Sequence, residues 1–166
     1  MKGEGTGGPK GRSGRSRSLD ALPYHPRMLN PELEDAIRSR LGSAPFANWF
    51  GFEMTGLAEG SSELRLVLEA HHLNPGGIAH GGVAAALLDS AIGVALRTTL
   101  PERAGHATVQ LQVHYLRPIA TGTIIARGTA VHAGTRLEYG EGTLVDEHER
   151  VLARGSATFI VLEPPG

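Results

Sequence analysis

Cysteine is absent from the 166-residue chain. That excludes a disulfide framework, a thiolate nucleophile and any zinc site built on sulfur, and it makes a cytoplasmic setting the default expectation. Long apolar runs are missing too. The longest, Val83 to Leu96, is broken by Asp89 and falls short of the roughly 20 residues a membrane span needs. The N-terminus lacks the apolar stretch of a secretory signal, and its glycines argue against an amphipathic transit helix. Basic charge is scarce in the body of the chain: residues 1–18 hold five basic side chains against one acidic, whereas the rest carries 11 basic and 16 acidic. That balance offers no footprint for duplex nucleic acid, so neither nucleic acid nor membrane is expected as a partner.

What is present suits a folded protein. Hydrophobic residues make up 40% and charged residues 20%, the proportions of an ordinary globular domain, and the length fits one core. Met1 to Ser18 is Gly-, Ser- and Arg-rich and cannot bury enough surface to offset its ordering entropy, so a disordered basic tail is expected there. Residues 19–166 are expected to form a single domain with an N-terminal helix. That helix should run from Asn30, a cap followed by Pro31 and first-turn acids, to Gly42. Phe46, Trp49, Phe50 and Phe52 read as core packing.

Strands are expected over Phe52 to Ala58 and Glu63 to Glu69, and four more over Ala107 to Arg117, Thr121 to His132, Thr135 to Val145 and Val151 to Leu162. In the first of these four, Val109, Leu111, Val113 and Tyr115 alternate with Thr108, Gln110, Gln112 and His114, which puts Thr108 on a wet face. Between the two groups of strands, Gly81 to Leu96 is apolar on every side and Ala-rich, a helix that protein must surround. Two strands, one buried helix and four further strands describe an α+β protein, an antiparallel sheet curled around a central helix.

Asp89 is the only charge in that helix. An ionised, unpaired carboxylate there would cost several kcal/mol of desolvation, at least ~2 kcal/mol by conservative reckoning. Burial raises the pKa of such a group toward the range of a general base, although a buried Asp held by structural hydrogen bonds answers the same pattern. Just upstream, Asn74 to Gly82 holds four glycines and opens the helix, so its free N–H groups can meet an oxyanion or can simply belong to a flexible capped loop. From His80 to Asp89 a helix advances about 900°, half a turn net, and about 13 Å. The two ends point apart, which favours a site completed by a two-fold partner. The histidines, His71 and His72 included, show no ligand spacing for a metal, and none is expected.

Written as N-x5-HGG-x4-L-x-D, the residues Asn74, His80, Gly81, Gly82, Leu87 and Asp89 resemble the PaaI-like branch of hotdog-fold acyl-CoA thioesterases. The likeness spans about residues 46–162. It implies the hotdog fold, hydrolysis of an acyl-CoA to free acid and CoA without a cofactor, and a homodimer with shared active sites, assembled as a dimer of dimers, with the acyl group in a slot between subunits. It implies that Asn74 and the Gly81 N–H polarise the thioester carbonyl. Asp89 would activate water or attack directly, Thr108 would position the water, His80 would organise the loop, and Gly82 would border the substrate. By the same likeness the hairpin with Gly134, Thr135 and Arg136 borders the CoA nucleotide, with Arg136 on a phosphate. Arg117, before Pro118, is a second candidate for a phosphate, or simply a solvated strand end. Two other readings stay open. An acyl-CoA hydratase would need a different Asp and His pairing, and a non-catalytic acyl-CoA sensor would be expected to carry a DNA-binding module, for which the N-terminal segment leaves no room.

Overall fold

Asn30 caps the first helix as its neighbours dictate. In the computed structural model, which describes residues 29–162, its side-chain oxygen accepts the Glu32 N–H at 2.9 Å and Pro31 opens α1 (Pro31–Gly42). The tail expected over residues 1–18 lies outside the described residues. A short helix, α2 (Pro45–Phe50), follows and ends on Gly51, whose φ of 82° is the left-handed conformation glycine tolerates best. The aromatic cluster is therefore helical and only half core. Phe50 and Phe52 are buried, whereas Phe46 and Trp49, three residues apart on the outer face of α2, are exposed.

Six strands follow: β1 (Phe52–Ala58), β2 (Ser61–Val67), β3 (Gly105–Tyr115), β4 (Thr123–Ala133), β5 (Leu137–Asp146) and β6 (Val151–Leu162). They form one antiparallel sheet in the order β1-β2-β4-β5-β6-β3. The central helix, α3 (Gly81–Arg97), touches all six strands, which a single helix achieves only if the sheet curls around it. Leu87, Leu88, Ala91, Ile92, Ala95 and Leu96 are completely buried, each Leu or Ile contributing about 1.5–3 kcal/mol of transfer free energy.

A row of glycines lets α3 approach this closely. Gly128, Gly142 and Gly155 lie directly opposite one another on β4, β5 and β6. A Cβ on Gly128 would collide with the Ala91 carbonyl, and one on Gly142 would come within 3.0 Å of Leu88. Ser62, buried on β2, donates its hydroxyl to the same Ala91 carbonyl at 2.6 Å and ties the helix to the sheet.

β3 departs from the regular alternation. Thr108 pairs with Phe159 and Gln110 with Thr158, so Val109 is bulged out of the ladder with β6. The bulge reverses the phase of the strand. Leu111 and Val113 pack against the core, and Thr108 turns to the same helix-facing side instead of joining Gln110 and Gln112 on the wet face.

Candidate active site

Asp89 sits midway along α3, half-buried between fully buried Leu88 and Ala91. The Thr108 hydroxyl donates to its Oδ1 at 3.0 Å. Burial pushes the carboxyl above its ordinary range, partly opposed by the Thr108 hydrogen bond and by the positive potential of His106. The net shift is upward, as a proton-accepting group near neutral pH requires.

His106 and Thr108 share one side of β3. The His106 Nδ1 lies 2.9 Å from Glu138 Oε2, and the Thr99 hydroxyl donates to Glu138 Oε1 at 3.3 Å. Glu138 is completely buried, so its carboxylate is carried by these two partners. The sequence reading missed this pair. The signal was the parity of β5: Glu138 alternates with Gly140, Gly142 and Leu144, the side that packs under α3, while Leu137 faces out.

At the other end of α3, His80 is the N-cap, its Nδ1 accepting the Gly82 N–H at 2.9 Å. That bond ties the loop to the first turn of the helix at Gly82. Asn74 shapes the preceding turn: its Oδ1 accepts from Gly76 N–H at 2.8 Å and from Ile78 N–H at 3.4 Å. Among the described residues neither the Asn74 amide nitrogen nor the Gly81 N–H has a hydrogen-bond partner. Both donors border a cleft of about 350 Å³ that Tyr115 and Arg117 also line. Tyr115 was not anticipated. Its hydroxyl donates to the Gly81 carbonyl at 2.8 Å and pins the start of the helix to the end of β3.

The remaining candidates occupy both ends of the molecule. Arg117 lies in the Asn74 cleft, where its guanidinium donates to the Val151 carbonyl. Gly134, Thr135 and Arg136 form the β4–β5 turn, closed by a Gly134 N–H to Leu137 carbonyl bond of 3.1 Å. The Arg136 carbonyl accepts from Val161, the residue paired with His106, so this turn lies at the far end of β3 from Tyr115. One chain thus unites Asp89 with Thr108, and separately Asn74 with Gly81 and Arg117. Eight residues, about 12 Å of helix axis, part the two groups. His72 is structural: one ring nitrogen accepts from Glu69 N–H and the other meets the Phe50 carbonyl at 3.0 Å. Among the described residues no three His, Asp or Glu side chains gather as a metal-binding set.

Comparison with known proteins fits this geometry. Residues 76–153 match the thioesterase superfamily. A candidate esterase of Halobacterium salinarum is 34% identical over 66% of this chain and 75% of its own length. The chain belongs to the thioesterase superfamily. A solved thioesterase family protein from Silicibacter pomeroyi superposes with a TM-score of 0.74 at 26% identity, covering 78% of this chain and 98% of that one. The phenylacetic acid degradation protein PaaI from Thermus thermophilus, solved as a mutant, gives 0.66 at 29% identity over 72% and 100%. The hotdog fold and the PaaI-like kinship expected from the HGG motif are both present, and these kinships identify a thioesterase-like hydrolase. No helix among the described residues is long and apolar enough to cross a membrane.

Proposed function

We propose that the protein hydrolyses acyl-CoA thioesters to a free acid and CoA, as a cytoplasmic homodimer whose active sites each draw on both subunits. The observation that carries this reading is the Asp89–Thr108 pair: a half-buried carboxylate with a raised pKa and a hydroxyl 3.0 Å away. Asp89 takes a proton from a water that Thr108 orients, and the water oxygen adds to the thioester carbonyl. The charge that develops on the carbonyl oxygen is met by the Asn74 amide and the Gly81 N–H of the other subunit. The C–S bond then breaks, and the CoA thiolate leaves with the proton held by Asp89. Direct attack by Asp89 uses the same geometry and would form an acyl–aspartyl anhydride, which 18O-label found in the Asp89 carboxylate after a single turnover in 18O-water would identify.

Edge pairing supports the shared site. β3 is an edge strand of 11 residues, with Val109 60% and Tyr115 54% exposed, and such an edge invites a partner strand. If β3 pairs antiparallel with its own copy about a two-fold axis near Leu111–Gln112, Thr108 of one subunit falls opposite the partner's Tyr115. That register brings Asp89, held by Thr108, toward the partner's Gly81, held by Tyr115. A dimer of dimers, with Arg117 and the Gly134–Arg136 turn available for CoA phosphates, completes the reading.

Thiol release over a panel of acyl-CoA substrates tests it. Turnover of at least one acyl-CoA that is lost in Asp89→Ala is expected. Turnover unaffected by that substitution would exclude the carboxylate's role, and no turnover on any acyl-CoA would leave binding alone.

A further inference from the structure

A second cleft, of about 380 Å³, opens between α1, α3 and the ends of β3 and β6. Ile37 and Leu41 of α1, Val94 of α3 and Leu162 of β6 give it apolar walls. Its size falls within the roughly 300–1,000 Å³ of small-molecule clefts. Nothing in the hydrolytic steps above uses it.

Its position relative to Asp89 is set by two elements independently. Gly93, on its floor, lies four residues beyond Asp89 on the same stripe of α3, one helical turn on. His106, also lining it, lies two residues before Thr108 on the same side of β3. The Asp89–Thr108 pair and the Gly93–His106 pair are therefore successive rungs of one groove between helix and strand. His106 is held rigidly there by Glu138 and by the Phe159 ring, 4.7 Å away between centroids. At the far end, Arg97 closes the cleft with its guanidinium committed to the carbonyls of Leu100 and Glu102. Those two bonds occupy part of its donor set, and Arg40 stands exposed at the rim. Apolar surface makes up the larger part of the lining, with Glu102 and His106 as its other polar side chains.

We infer that this cleft is the acyl-chain pocket, which takes an apolar chain of medium length running from the carbonyl at Asp89 past Gly93 and His106 to the α1–α3 junction. The inference rests on the thioester reading for the position of the carbonyl. Gly93 and Arg97 lie about 6 and 12 Å beyond Asp89 along the helix axis. At the roughly 1.2 Å that each bond of an extended chain advances, that span holds about five to ten carbons.

Non-hydrolysable S-alkyl-CoA thioethers, from ethyl to decyl, test the pocket apart from the chemistry. Calorimetry on the full chain should show affinity rising by up to about fourfold per methylene until the cleft is filled. Val94→Phe and Ala36→Phe, on different helices that line the cleft, should each cut the decyl-to-ethyl affinity ratio at least tenfold. The kcat/KM ratio of decanoyl-CoA to acetyl-CoA should fall with it. A wild-type protein that binds decyl no better than ethyl overturns the inference, as does an unchanged ratio in both variants. If the ratios respond but the wild type hydrolyses no acyl-CoA, the pocket stands and the hydrolase reading fails.

Discussion

Thr108 reaches Asp89 because Val109 is bulged out of the ladder between β3 and β6. Without that extra residue the strand's alternation would carry the hydroxyl to the opposite face, away from α3. The bulge aims a polar group inward on a strand whose next inward residues, Leu111 and Val113, are apolar. Thr108→Ala should therefore lower kcat at least ~10-fold, as loss of water positioning in general-base catalysis would.

The same substitution has a signed effect on pH dependence. The Thr108 hydrogen bond lowers the Asp89 pKa against the larger upward push of burial, so its removal lets the pKa rise further. In the proposed mechanism Asp89 acts as the ionised carboxylate. The acid limb of the kcat/KM profile should thus move to higher pH in Thr108→Ala, and Thr108→Ser should restore it. A limb that stays in place or moves down would contradict the assignment.

Asp89 should also weaken the fold it serves. Its folded pKa is raised, so between the ordinary aspartate range near 4 and that raised value the folded state binds more protons than the unfolded one. Stability contributed by this group is present below that window and lost as pH rises through it. Asp89→Asn should accordingly melt higher than wild type at pH 7.5, by a margin that shrinks toward pH 4. A wild type that melts higher at pH 7.5 would show that other contacts of the carboxylate dominate.

The buried pair of His106 and Glu138 makes the opposite prediction. Removing the imidazole leaves a completely buried Glu138 oxygen without its 2.9 Å partner, so His106→Ala should cost about 1–3 kcal/mol, seen as a clear drop in urea midpoint. The double substitution His106→Leu with Glu138→Met, which removes both polar groups, should recover much of that loss. If His106→Ala alone costs under ~0.5 kcal/mol, the imidazole is not what satisfies Glu138.

The sequence made the long elements legible because their signals are local. Asn30 and Pro31 cap α1 as read, the apolar run set α3 to within one residue of Arg97, and β1 and β6 have the expected ends. Non-local features were hidden. The Val109 bulge appears only when β3 is laid against β6, so simple alternation put Thr108 on the wrong face. The glycines 128, 142 and 155 are far apart in the chain and form a row only through strand register. Glu138 looked like a surface charge in the run Leu137, Glu138 and Tyr139, and the strand's parity became clear only with α3 above it. Asp89 and the HGG segment stood out in the sequence because a charge in an apolar helix and glycines at its start are each costly there.

If each active site is divided between subunits, the decisive species is a differentially tagged heterodimer of Asn74→Ala and Asp89→Ala chains. One of its two sites collects both substitutions and the other collects neither. Each parent homodimer should be nearly inactive. The purified heterodimer, verified as folded and free of wild-type chains, should recover about half the turnover of a wild-type dimer, since one of its two sites is intact. A heterodimer as inactive as its parents would mean that Asn74 and Asp89 act within one chain, contrary to the 12 Å of helix that separates Gly81 from Asp89, about eight residues of rise.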